Sequence, residues 1–166
     1  MWLDGKRVVV LGGTSGIGRA VAEAAVEAGA AVVVASSSPE RVEQARRWLP
    51  AGGEAEQVDL ASEEAISAFF GRIGSFDHLV YTAGEPLLIG TLAELDLSAV
   101  RRFFEIRFWG AYAAVRHAAP LLNEGGSITL SSGTASQRPG PGQSAIASAL
   151  RSDLEEASYS RKVELG

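Results

Sequence analysis

The chain has 166 residues, 46% hydrophobic and 21% charged, which is the balance of one globular domain with a real core and sets aside a disordered chain. Its net charge is −5 with acids and bases interspersed, so it offers no basic footprint for nucleic acid or an anionic membrane. It has no cysteine, which removes disulfides and thiolate metal sites, and His78 and His117 show no metal-ligand spacing.

No apolar run approaches the ~18 residues that span a bilayer. The opening MWLDGKR lacks the apolar stretch of a secretory leader, so a cytoplasmic protein is expected. Lys6–Leu11 is a β-branched run that ends in glycines and reads as a buried strand. Ile17, Val21, Ala24, Ala25 and Ala28 follow at helical spacing, with Gly29 as the stop. Ala31–Ala35 is a second buried strand. Ser38 then caps a helix with Pro39 at its first position and Val42, Ala45 and Leu49 on its inner face. Glu54–Asp59 is a weaker strand. Ser62 caps a helix whose apolar face is Ile66, Phe69, Phe70 and Ile73, and Asp77–Thr82 is a fourth strand.

A long helix is expected from about Ser98 to Leu122, with Val100, Phe104, Arg107, Ala111, Val115 and Ala118 as one stripe. Gly125-Gly126 leads into a fifth strand, Ser127–Leu130. A last helix covers roughly 142–163, with Ile146, Leu150, Leu154 and Ala157 inward. Loops are expected at 83–97 and 133–142. Strands and helices alternate, and the strands are continuous apolar runs. That pattern implies βαβ units and a mainly parallel sheet covered on both faces, with right-handed crossovers.

Between the first strand and first helix stands LGGTSGIGRA, residues 11–20. Gly12, Gly16 and Gly18 allow a tight turn and a close backbone approach to a diphosphate at a helix N-terminus. Thr14, Ser15 and Ile17 lie in the same loop. The second strand ends Ala35-Ser36-Ser37-Ser38, where an acid would bind a ribose 2′-hydroxyl and repel a 2′-phosphate. Three hydroxyls stand there instead, with Arg19 and Arg41 as cations nearby. The residues therefore favour NADP(H) over NAD(H).

The ordered motifs resemble the short-chain dehydrogenase/reductase family over nearly the whole chain. The family's Thr-Gly-x-x-x-Gly-x-Gly appears as Leu11-Gly12-Gly13-Thr14-Ser15-Gly16-Ile17-Gly18. Asp59-Leu60 matches its acid-apolar pair at the adenine. Thr82-Ala83-Gly84 matches the last three residues of Asn-Asn-Ala-Gly, with Thr in place of the second Asn. Phe108-Trp109-Gly110, Gly126-Ser127-Ile128 and Ser131-Ser132 follow in order. The resemblance implies a Rossmann-type doubly wound α/β fold, strand order 3-2-1-4-5 with helices on both faces, and one nucleotide-binding domain over residues 1–166. Ser36 stands where NAD users carry an acid, and Ser37 where NADP users often carry Arg.

The family's chemistry uses a Tyr-x-x-x-Lys pair, a serine that holds the substrate oxygen, and an Asn on the fourth helix. The serine falls on Ser132. The pair falls on Ala145 and Ala149 of GQSAIASALR, neither of which can move a proton, and the Asn position holds Arg107. Tyr159 lies too late, and Val163 occupies the fourth place after it. Arg107 reads either as a cation at an active-site wall or as an interface arginine that snorkels or pairs. Ser132 reads either as a substrate-oxygen partner or as a strand-ending hydroxyl bonded to backbone. The final VELG resembles the close of the family's fifth helix, so its sixth strand and substrate-binding end are expected to be absent. The expected function is an NADP(H)-dependent oxidoreductase on a small carbonyl or alcohol substrate, with atypical or reduced catalysis. The fourth and fifth helices are its implied homo-oligomer surface, with Trp109 and Tyr112 turned outward. Two alternatives stand beside it: a non-catalytic NADP(H)-binding sensor or oligomer partner, and a truncated inactive chain.

Overall fold

The computed structural model describes residues 1–84, 86–133, 135, 137–138 and 140–151, with the last two as backbone. Its five strands form one parallel sheet in the order β3-β2-β1-β4-β5. They are β1 (Arg7–Leu11), β2 (Ala31–Ser36), β3 (Glu54–Gln57), β4 (Phe76–Tyr81) and β5 (Leu122–Leu130). Both the order and the parallel sense agree with the sequence reading. The register sets Val9 opposite Val33 and Leu79, so the central strand is buried from both sides.

The pleat sorts alternate residues into two apolar layers. Val8, Val10, Val32 and Val34 face Ala22 and Ala25 of α1 (Gly16–Glu27) and Val42 and Ala45 of α2 (Pro39–Trp48). Val9, Leu11, Val33 and Leu79 face the opposite layer. There Ile66, Phe69 and Phe70 of α3 (Glu63–Ile73) meet Ala111, Ala114 and Ala118 of α5 (Ala111–Ala118). Each fully buried valine or phenylalanine contributes about 1.5–3 kcal/mol. The predicted caps form: the Ser38 hydroxyl accepts from Arg41 N–H and that of Ser62 from Ala65 N–H.

The expected single helix from Ser98 to Leu122 is corrected. It is α4 (Leu97–Phe104), then a π-helical turn (Glu105–Gly110), then α5, then a 3₁₀ turn (Ala119–Leu121). A π turn holds an extra residue and rotates everything beyond it. The predicted stripe shifts accordingly. The fully buried positions are Phe103, Gly110, Ala111, Ala114 and Ala118, whereas Phe104, Arg107 and Val115 are only partly buried. β5 starts at Leu122 rather than Ser127, because its first residues pair across a bulge, with Phe76 opposite Leu122 and His78 opposite Ser127. β1 and β4 each begin one residue from the expected start, and β3 closes at Gln57. The last helix begins at Ser144 (α6, Ser144–Arg151), since Gly142 has φ +73°. Its expected continuation through Leu154, Ala157 and Val163 lies outside the described residues. No helix among those described is long and apolar enough to cross a membrane.

The amino ends of β1 and β4 are tied by Asp77, the one buried charged residue among those described. Its carboxylate accepts from Arg7 N–H at 2.8 Å and from Lys6 Nζ at 3.0 Å. Burial pushes this carboxyl up. The hydrogen bonds from Arg7, Lys6 and Asn123, with the Lys6 charge, outweigh burial and hold it below the usual carboxylate range. A depressed folded pKa stabilises the fold above the unfolded value, and that stabilisation is lost as pH falls through the folded one. Asp77→Asn is expected to lower stability by about 2 kcal/mol at neutral pH. Denaturant titrations of both proteins should converge as pH falls below about 4.

Candidate functional site

The site forms where the carboxyl ends of β1, β2 and β4 meet. Gly12 leaves β1 with φ +85° and donates its N–H to the Ala35 carbonyl at 3.0 Å. Thr82 donates both its N–H, at 2.9 Å, and its hydroxyl, at 3.1 Å, to the Leu11 carbonyl. A Cβ on Gly12 would lie 2.7 Å from Ala83 N, and one on Gly18 would overlap the Gly12 carbonyl oxygen and the Thr82 hydroxyl. At Gly12 and Gly18 the loop is thus pressed against the end of β4 with no room for a side chain. Ser15 stands at the N-cap of α1, and its side chain makes no capping bond. The first-turn N–H groups, at the positive end of the helix dipole, face the opening above the loop.

The end of β2 is fixed from the β3 side. Val58 N–H donates to the Ser36 carbonyl at 2.9 Å, and Gln57 Nε2 to the Ser37 carbonyl at 3.2 Å. Ser38 is committed to its cap and donates its hydroxyl to Glu40 at 2.8 Å, a bond that leads the lowering of the Glu40 carboxyl pKa. Ser36 accepts from Ser38 N–H at 3.2 Å, and Ser37 is exposed.

These elements enclose a cleft of about 620 Å³. Its wall holds Gly12, Thr14 and Ser15 from the loop, Gly16, Ile17 and Gly18 from the start of α1, Ser36 from the end of β2 with Ser37 and Ser38 beyond it, Asp59 and Leu60 beyond β3, and Ala83 and Gly84 beyond β4. Every residue that the sequence assigns to nucleotide binding therefore borders one space. Arg41 lines it too. Arg19 does not, being paired with Glu23 at 2.8 Å and set over the Trp48 ring at 5.4 Å. The sequence reading missed Val58, Pro86 and Ile106. Val58 adjoins Asp59 and was within reach. Ile106 is carried there by the π turn, which helical periodicity does not reveal.

Ser132 and Arg107 stand outside that wall. Ser132 is exposed beyond the carboxyl end of β5, where Ser131 N–H still pairs with the Tyr81 carbonyl at 3.0 Å. Arg107 lies over the Phe103 ring, 4.7 Å from its centre, with its guanidinium against Gly84. A Cβ on Gly84 would fall 2.5 Å from Arg107 Cζ. This cation therefore abuts a residue of the cleft wall. Ala145 and Ala149 are buried. Ala149 packs with Ile146 and Phe103, so this face of α6 presents methyl groups to α4.

A parallel 3-2-1-4-5 sheet, with a glycine loop between its first strand and first helix, defines a Rossmann-type doubly wound α/β domain. The profile of the short chain dehydrogenases matches residues 6–149, and the chain belongs to the short-chain dehydrogenase/reductase family. It is 32% identical over 152 residues to the short-chain dehydrogenase/reductase fsr5 of Gibberella fujikuroi, covering 81% of this chain and 57% of that one. It is 38% identical over 156 residues to ucsE of an Acremonium species, covering 82% and 59%. The chain thus spans less than two thirds of these curated relatives. Among solved structures, BdcA in complex with NADPH superposes with a TM-score of 0.85 at 28% identity, over 94% of this chain and 64% of that one. A small-chain dehydrogenase in complex with NADPH gives 0.75 at 32% identity, over 91% and 61%.

The loop's packing separates two kinds of glycine. Gly16 has φ +54° with open space around its missing Cβ, so Gly16→Ala is expected to cost only the left-handed strain of about 1 kcal/mol. Gly18→Ala meets backbone that cannot give way and should cost about 3 kcal/mol. Urea denaturation of the two variants measures the difference.

Proposed function

We propose that the cleft binds a nicotinamide dinucleotide, NADP(H) in preference to NAD(H), and that the chain serves an oxidoreductase acting between a carbonyl compound and its alcohol. The observation that carries this reading is the convergence of the glycine loop, the three serines and the Asp59-Leu60 and Ala83-Gly84 pairs on one space. The residues fit such a group. The side-chain-free cradle at Gly12 and Gly18 admits a diphosphate against backbone, and the N–H groups of α1 supply donors for it. At the other end, Ser36, Ser37 and Arg41 offer hydroxyls and a cation without a facing carboxylate on β2. The NADPH held by two structural relatives supports the same reading.

When bound, the nicotinamide supplies the hydride exchanged with the substrate carbon. The chain's own part is to bind and orient. The Ser132 hydroxyl, at the carboxyl end of β5, holds the substrate oxygen. The Arg107 cation against Gly84 favours an oxygen that gains negative charge. Ala145 and Ala149 contribute no titratable group, so α6 supplies no proton there and water completes the transfer. Turnover is therefore slow or confined to activated carbonyls. Those same buried alanines favour a second reading, in which the chain binds the dinucleotide without turning it over, as a sensor or as a partner in a homo-oligomer. Trp109 and Tyr112, both exposed, mark the face for such a contact.

Titration with NADPH and NADH, followed by cofactor fluorescence, tests the binding. NADPH should bind more tightly. Arg41→Ala or Ser37→Ala should weaken NADPH by about tenfold and leave NADH unchanged, since each removes one charge-assisted hydrogen bond. Equal affinity for both cofactors removes the preference, and no binding by the folded chain removes the proposal. Catalysis is tested separately. A carbonyl screen with NADPH should find slow reduction that Ser132→Ala and Arg107→Ala each abolish while cofactor affinity persists. Binding without any reduction selects the sensor reading.

A further inference from the structure

The π turn meets a polar side chain at the end of β4. Tyr81 is 3% exposed, in the core between β4 and α5, and its hydroxyl donates to the Ile106 carbonyl. Burial pushes the phenol pKa up, opposed by the nearby Arg107 charge, so the group remains a hydrogen-bond donor across the usable pH range. A side-chain donor inserted into the helical ladder is one of the identifiable causes of a local departure from α geometry. Gly110 closes the same turn. A Cβ there would lie 2.9 Å from the Tyr81 hydroxyl and would overlap the Leu60 carbonyl oxygen. The turn is seated on the sheet through Tyr81 and Gly110, with Ile106 packed against the same core. Its position fixes two neighbours: Ile106, whose residue lines the cleft, and Arg107, against Gly84.

We infer that Tyr81 is a positioning residue for the β4 end of the cleft: its hydroxyl holds the π turn so that Ile106 and Arg107 confront Ala83 and Gly84. This rests on the reading of the cleft as a dinucleotide site. That cleft has two ends. The serines, Arg41 and Asp59 lie at the β2–β3 end, Ala83, Gly84, Pro86 and Ile106 at the β4 end, and Leu60, whose carbonyl meets Gly110, between them. A ligand confined to the first end does not feel the π turn, and one that spans both does. Loss of the Tyr81 hydroxyl therefore has a signature that general destabilisation lacks.

The test uses calorimetric titration of wild type and Tyr81→Phe with two probes, NADPH and adenosine 2′,5′-bisphosphate. The second carries the adenosine end alone. The variant keeps the ring in the core, and its melting temperature checks that it folds. The expected result is an approximately tenfold loss of NADPH affinity, the worth of one hydrogen bond to the turn, with the bisphosphate unchanged. Amide hydrogen exchange should quicken over residues 105–111 and stay as it was in α1–α3. Unchanged NADPH affinity, or an equal loss for both probes, overturns the inference. Should wild type bind neither probe, the proposed function falls on its own account. The exchange measurement then judges Tyr81 alone, since unaltered protection over 105–111 overturns its role whatever binds.

Discussion

Everything at the carboxyl edge of the sheet depends on how closely backbone packs on backbone there. Gly18 of α1 lies on the Gly12 carbonyl and the Thr82 hydroxyl, and Gly12 lies on Ala83. That contact locks the loop after β1 to the end of β4 and sets the start of α1 just above the sheet. The helix dipole, the first-turn N–H groups and the gap between β1 and β4 coincide because Gly12 and Gly18 let three segments meet without side chains of their own. Pull them apart by one methyl group and the cradle disappears, although no polar group has been removed.

The parts of the molecule legible in its sequence were those that follow from local rules. The Val-rich runs of β1 and β2 could only be strands covered on both faces, and alternation with helical periods implied the parallel order. Ser38 before Pro39 and Ser62 before Glu63 announced their helices by capping chemistry, and both caps form. The nucleotide-loop residues could be placed together because strand–glycine–helix order dictates where they meet. Arg19 shows the limit of that reasoning. It sits in the loop's own helix, yet its charge turns to Glu23 and the Trp48 ring. Sequence position alone does not say which of two neighbouring cations faces a cleft.

The interrupted fourth helix escaped for a different reason. Its apolar residues satisfy a 3.6-residue period almost as well as the true arrangement, so Phe104 and Phe103 compete for the core without a local arbiter. The arbiter is tertiary: the hydroxyl of Tyr81, some 25 residues earlier, enters the ladder at Ile106. A one-residue change of phase follows, and with it the depth of Arg107. The bulge in β5 is similar, since the pairing of Phe76 with Leu122 depends on a partner strand that the segment itself does not specify.

Asp77 and the glycine cradle lie at opposite ends of the same strands, and the contrast between those ends has a consequence for how the molecule tolerates change. The Asp77 end is cross-linked by charge and hydrogen bonds that span some 70 residues of sequence. At the other end α6 packs on α4, with Ile146 and Ala149 against Phe103. Alterations on α6 thus fall on its packing with α4, away from the Asp77 bonds at the amino ends of the strands. The two ends therefore answer to change differently, one through polar bonds that hold strand to strand, the other through the packing of helix on helix.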